Sequence, residues 1–136
     1  LNHVTARLIE AAHQTAARYQ RHESEFAATG LTPQWQTGFA APMVLEASVK
    51  LCMRLREHQE LSINKTHLVI GEIVVAEFPD QGLMTDGALD LAQCGTVALT
   101  GLDTYHQAAP IKRMAYAKPD LPPREIAIEP PGNGKC

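Results

Sequence analysis

The stretch from residue 45 to residue 77 constrains this chain more than any other. Over residues 45–57, Val49, Leu51, Met53 and Leu55 alternate with Lys50, Cys52, Arg54 and Arg56. A period of two sends successive side chains to opposite faces, the signature of a half-buried antiparallel strand with the apolar set turned inward. A second run over residues 66–77 is rich in Val and Ile, and the polar stretch 60–65 between the two reads as a turn. Together they predict a β-hairpin inside a β-barrel. Gly71, inside the second run, predicts a bulge or a close backbone approach.

The rest of the chain is sparser. Val4, Leu8, Ala11, Ala12 and Thr15 recur at helical spacing with Arg7, Glu10, Gln14 and Arg18 opposite, which predicts a helix over residues 5–19 with Thr5 as its N-cap. A short helical turn follows over 23–28, opened by Ser24 or Glu23 and closed by Gly30. Residues 31–42 form a connection, 80–86 a loop and 87–93 a helical turn. Residues 96–100 form a short strand, from which Gly101-Leu102-Asp103 turns away, and 111–116 suit either an extended or a helical turn. Pro119, Pro122, Pro123, Pro130 and Pro131 exclude helix or central strand from the end of the chain. The organisation expected is one domain over residues 1–120 and a proline-rich tail over 121–136. Leu1-Asn2-His3-Val4 reads as the end of a strand running into a helix, and the first residue is not Met. With too few strands to close a barrel unaided, the expectation is that further strands lie upstream or on a partner chain.

Composition narrows function mainly by exclusion. With 136 residues, 45% hydrophobic, 20% charged and a net charge of −3, the chain is the size of one domain that buries a core. It lacks the basic stripe of a nucleic-acid binder. Its longest apolar run, 68–76, is short and interrupted by Gly71 and Glu72, so no membrane span is expected, and no stretch reads as a signal peptide. Three widely spaced cysteines (Cys52, Cys94, Cys136) make neither a CxxC pair nor a disulfide framework, which points to a reducing compartment, the cytoplasm. There is no GxGxxG and no P-loop string. Gly132-Asn133-Gly134 reads as plain flexibility. His58 and His67 flank the hairpin turn and could approach each other, with Glu57 or Glu60 nearby, but no HExxH or Cys/His cluster exists and no metal site is expected. Cys94 reads as a small buried hydrophobe rather than the partner of His106 in a nucleophilic pair. Ser24, Ser48 and Ser62 have no GxSxG context. No catalytic acid, base or nucleophile stands out.

The segment with most chemical character runs Thr96-Val-Ala-Leu-Thr-Gly-Leu-Asp-Thr-Tyr-His106, followed by Pro110 and Arg113-Met-Ala-Tyr-Ala-Lys-Pro119. Asp103, Thr104, Tyr105 and His106 cluster in a turn after a strand, where pockets are often lined. The plainer reading is a structural turn with Tyr105 and Tyr116 packed under the tail.

This string is similar to the C-terminal signature of the flavin reductase-like, FMN-binding split-barrel family, which includes reductase components of two-component flavin monooxygenases. Three further stretches fall in the family's order. Glu25-Phe-Ala-Ala-Thr-Gly-Leu-Thr-Pro33 resembles its connection after the helix. Glu46-Ala-Ser-Val-Lys-Leu-Cys-Met-Arg-Leu55 resembles one strand. His67-Leu-Val-Ile-Gly-Glu-Ile-Val74, with Asp86-Gly-x-Leu-Asp90 after it, resembles the next. The resemblance implies a mainly β fold with a few helices, the C-terminal portion of an antiparallel Greek-key split barrel. It implies a homodimer with FMN in the intersubunit groove, NAD(P)H as co-substrate, hydride transfer to the flavin and possible supply of reduced flavin to a monooxygenase. A non-catalytic flavin-binding or electron-carrier protein of the same fold is the alternative. The cofactor-binding residues implied are Asp103, Thr104, Tyr105 and His106, with Asn2 and Thr15 beside them. The chain departs from the family where Ala47-Ser48 replaces Ser-Pro, where Cys52 is displaced by one position, and where His13-Gln14-Thr15-Ala16 replaces Asn-x-Thr-Ser. The family's opening strands have no counterpart here.

Overall fold

A computed structural model describes residues 1–128, so Pro130, Pro131, the 132–134 string and Cys136 lie outside the described residues. The chain divides into two compact units, Leu1–Phe78 and the part from Pro79 onward. Among the described residues the strands form four two-stranded antiparallel sheets, none of which closes into a barrel.

In the first unit the opening residues are extended, as their sequence suggested. His3 N–H donates to Val49 O at 2.9 Å and Leu51 N–H to Leu1 O at 2.8 Å, and Asn2 bridges Lys50. A 3₁₀ turn (Ala6–Leu8) leads into helix α1 (Ile9–Gln14). The helix expected over residues 5–19 is therefore shorter at both ends. Thr5 makes no side-chain cap. At the other end Thr15 Oγ1 donates back to Ala12 O at 2.7 Å, and its N–H is shared between the carbonyls of Ala11 and Ala12. Such back-bonding by a β-branched residue tightens the last turn and ends the helix. Helix α2 (Glu25–Thr29) is opened by Ser24, whose Oγ accepts from Ala27 N–H at 3.5 Å, and closed by Gly30 in the left-handed region at φ 73°.

Strands β1 (Pro33–Gln34) and β2 (Met43–Val44) pair, and then comes the hairpin of β3 (Lys50–Glu60) and β4 (His67–Glu77). Its register shifts between Cys52 and Met53 and between Leu55 and Glu57, with Gly71 opposite Leu55. A Cβ on Gly71 would stand 2.9 Å from Met53 Cε, so the expected irregularity and close approach are both present. The strand begins at Lys50 rather than at residue 45, and the expected single buried face does not run its length. Val49 is fully buried, but Lys50 and Cys52 of the supposed outer face are buried too, whereas Met53 is 40% and Leu55 63% exposed. Two causes act. The register irregularities break the alternation, and a two-stranded ribbon has no third strand to cover its far half.

The core of this unit sits at the base of the ribbon. Met43, Ala47, Val49 and Cys52 are buried there, with Cys52 Sγ 3.4 Å from Met43 Sδ. Lys50 Nζ donates to Gln34 Oε1 at 2.8 Å and to the carboxylate of Glu77, tying β1 to both strands of the ribbon. A buried ammonium persists because it is paired and hydrogen-bonded.

The second unit opens with a 3₁₀ turn (Asp80–Gly82) and a bridge between Leu83 and Leu89. The helical turn expected near residues 87–93 is a turn organised by Asp90, whose Oδ1 accepts from Ala92 N–H at 2.9 Å and Gln93 N–H at 3.2 Å. Strands β5 (Val97–Thr100) and β6 (Thr104–Gln107) form a hairpin whose turn contains Gly101 at φ 62°. Thr104, Tyr105 and His106 thus lie on a strand rather than in the turn, which ends at Asp103. Strands β7 (Arg113–Met114) and β8 (Glu125–Ile126) pair, which settles residues 111–116 as partly extended. Tyr116 is 92% exposed. No helix among the described residues is long and apolar enough to cross a membrane.

Candidate functional site

In the first unit the opening residues, α1, α2 and β2 border an open cavity of about 360 Å³. Asn2 and Thr15, two of the residues singled out from the sequence, both line it, together with His3, Glu25, Phe26 and Leu31. Asn2 Oδ1 accepts from Val44 N–H at 3.0 Å, which holds the side chain in place and leaves its amide nitrogen as the group to offer a ligand. Thr15 spends its hydroxyl proton on Ala12 O, so toward a ligand its oxygen acts as an acceptor. Burial holds the His3 imidazole below its usual pKa, assisted by the nearby terminal ammonium, and so favours the neutral ring. No lysine or arginine is among the lining residues. An apolar cavity with a few converging polar groups and no cation suits an uncharged aromatic or hydroxyl-bearing group better than a phosphate.

In the second unit the β5–β6 hairpin carries the other four predicted residues. Thr104 Oγ1 donates to Asp103 Oδ1 at 2.9 Å, and Thr100 Oγ1 lies 2.8 Å from His106 Nε2. Strand pleating turns Thr104 and His106 to one face of the ribbon and Tyr105 to the other. Asp103, Thr104 and His106 are exposed, and Tyr105 is half-buried opposite Leu99. One ligand on one face of this ribbon therefore meets His106 or Tyr105, but not both broadside. Asn2 and Thr15 belong to the first unit and these four residues to the second.

A contact that sequence reasoning missed joins two of the family-like stretches. The Arg113 guanidinium donates to the Asp86 carboxylate, and Asp86 Oδ1 also accepts from Ala88 N–H at 3.2 Å. The guanidinium, more than the backbone, holds the Asp86 carboxyl below its usual range. The opposite charges of the Asp86-Gly and Arg113-x-x-Tyr strings were the available signal. Lys112 and Arg113 also border a second, mostly apolar cavity of about 350 Å³ lined by Met84, Leu89 and Ile128.

The Cys94–His106 pair finds no support as a nucleophile: Cys94 is buried, with its thiol pKa raised by desolvation and by Asp90, the opposite of activation. His58 and His67 do meet, Nε2 to Nδ1 at 2.9 Å. Among the described residues no group of three or more His, Cys, Asp or Glu side chains is placed to hold a metal ion.

No protein-family model matches the chain, and no curated protein matches it. Solved structures do. A presumed flavin reductase with a split barrel domain from Shewanella frigidimarina is 49% identical over 85% of this chain, with a TM-score of 0.81, and 59% of its own length is covered. Flavoredoxin of Desulfovibrio vulgaris (Miyazaki F) is 22% identical over 88% of the chain, with a TM-score of 0.66 and 61% of its length covered. Nitrilotriacetate monooxygenase component B from Bacillus cereus is also 22% identical, over 80% of the chain, with a TM-score of 0.66 and 55% of its length covered. The chain fits the flavin reductase-like split-barrel family, with the mostly antiparallel β architecture and few short helices that its sequence implied. It spans 55–61% of the length of these relatives.

Proposed function

We propose that this chain is part of an FMN-binding oxidoreductase that passes a hydride from NAD(P)H to flavin. The observation that carries the proposal is the 49% identity, over 85% of the chain, to a protein named as a presumed flavin reductase. The absence of an evident acid, base or nucleophile agrees with it, because the flavin supplies the redox chemistry and the protein binds and orients two rings. The first-unit cavity fits part of such a ligand: its size lies at the lower end of small-molecule sites, about 300–1,000 Å³. There the Asn2 amide donates, Thr15 Oγ1 accepts, and Phe26 and Leu31 exclude water from an apolar ring. In the second unit Asp103, Thr104 and His106 present polar groups from one face of the hairpin, and Tyr105 offers an aromatic edge from the other.

The working protein on this reading is a cytoplasmic homodimer, and a monooxygenase component is a partner for the reduced flavin. Exposed apolar residues in the middle of the β3–β4 ribbon, among them Leu55 and Ile73, support a covered surface in the assembled protein. The test is NADH and NADPH oxidation by the protein with FMN added, followed at the nicotinamide absorbance band. Turnover that depends on FMN supports the reductase reading. Bound flavin without turnover supports an electron carrier of the same fold instead.

A further inference from the structure

We propose that His58 and His67 form a bidentate chelate for a divalent transition-metal ion of the copper or nickel class, at the tip of the β3–β4 ribbon. The inference is independent of the flavin reading. His58 lies opposite Val69 and His67 opposite Glu60, so the two histidines are diagonal neighbours on adjacent strands. Diagonal neighbours share a face of a ribbon and lie within reach of long side chains. Their ring centroids are 4.9 Å apart, and His58 Nε2 is 2.9 Å from His67 Nδ1.

That separation matches one pair of adjacent metal–nitrogen bonds. Imidazole nitrogen binds such ions at about 2.0–2.1 Å. Two bonds of that length at a right angle place the nitrogens about 2.9 Å apart, whereas a tetrahedral angle needs about 3.3–3.4 Å. Right-angled nitrogen ligation belongs to square-planar or tetragonal copper and nickel sites, and tetrahedral ligation to zinc. Swinging each lone pair about 45° off the N···N line directs both at one ion. Both side chains are exposed, so solvent leaves room for that rotation.

The backbone beneath the pair is set by its own bonds. Leu61 N–H donates to Thr66 O and Lys65 N–H to Leu61 O, both at 2.8 Å, and Asn64 Oδ1 accepts from the N–H and hydroxyl of Thr66. Glu60 is held by Lys65 Nζ at 3.1 Å. The ligands from protein are therefore the two imidazoles, with water completing the ion's shell. In the neutral pair one proton lies between the two nitrogens. On metal binding that proton moves to the other nitrogen of its ring, and a second proton, where the pair carries one, leaves to solvent.

The experiment is calorimetric titration of the tag-free protein with Ni²⁺ and with Zn²⁺ at neutral pH, alongside His58→Gln, His67→Gln, the double variant and His13→Gln as a control. Chelation makes two weak ligands act as one strong one, so each single variant is expected to bind Ni²⁺ at this site on the order of ten- to a hundredfold more weakly. The double variant loses little more, His13→Gln changes nothing, and wild type prefers Ni²⁺ to Zn²⁺. Ni²⁺ should also protect His58 and His67 of the wild-type protein, more than the other four of its six histidines, from carbethoxylation mapped by mass spectrometry. Unchanged Ni²⁺ binding in His58→Gln and His67→Gln, or equal labelling with and without Ni²⁺, overturns the proposal.

Discussion

A Cβ added at Gly82 would lie 2.3 Å from Cys94 Sγ and 3.3 Å from Leu89 Cδ1, and Cys94 is itself buried. Gly82→Ala therefore forces an overlap with the buried Cys94 sulfur, and should cost about 1–3 kcal/mol in urea unfolding. Combining it with Cys94→Ala removes the obstructing sulfur, so the double variant should be more stable than the sum of the single changes implies. Strict additivity would contradict this packing. His3 makes a prediction of opposite kind. Its folded pKa is lowered by burial, so the unfolded chain binds more protons as pH falls. Its contribution to stability is complete above about pH 6.5, the unfolded value, and declines as pH falls from there through the folded pKa. Urea midpoints measured from pH 8 to pH 5 should drop across that window, with a smaller drop in His3→Gln. Neither effect could be read from sequence, because His3 and Gly82 acquire their character from neighbours distant in the chain, such as Val49 and Cys94.

At the level of elements, the hairpin was legible because local pattern and turn chemistry agree over a long stretch. Its burial was not. Alternation predicts two faces but cannot count the strands that cover them, nor the register shifts that exchange them. Lys50 shows the consequence: it reads as a solvated cation, yet folding places it between Gln34 and Glu77. The ion pair is asymmetric, since the lysine side chain is 5% exposed and that of Glu77 46%. Glu77→Ala strands a buried ammonium and should cost about 1–3 kcal/mol. Lys50→Met instead leaves Glu77 access to water and keeps the buried volume, so it should cost clearly less. The reverse order in denaturant unfolding would contradict the assigned burial. The helix over 5–19 was overextended for a related reason, because helical spacing does not reveal that the Thr15 hydroxyl turns back on the helix. In the second unit, Asp86→Asn removes the partner of Arg113 and weakens the acceptor for Ala88 N–H. Amide exchange at Ala88 should quicken in that variant. In the parent protein the protection of Ala88, its exchange rate taken relative to that of an unstructured amide at the same pH, should fall as pH drops through the folded pKa of Asp86, which lies below the usual carboxylate range.

For the whole molecule, the family was legible before any coordinates because four weak strings occur in the right order. Each string fixes a turn or a close packing contact, and their order follows the order of elements in the fold. Of the candidate site, the sequence offered residues but not their arrangement. Asn2 and Thr15 do share a cavity. The strand geometry that sends Tyr105 and His106 to opposite faces could not be seen while that segment was read as a turn. It sharpens the expected effects of substitution: His106→Ala and Tyr105→Ala should alter flavin binding unequally, because one ligand face cannot use both. Equal losses of FMN affinity in the two variants would place the ligand elsewhere. The most direct test of the central claim is titration of the purified protein with FMN, followed by flavin fluorescence and visible absorbance. The account predicts saturable binding at one FMN per chain, with a Kd on the order of micromolar or tighter, and weaker binding in Thr15→Ala. A folded protein that binds no FMN at millimolar concentration would contradict it.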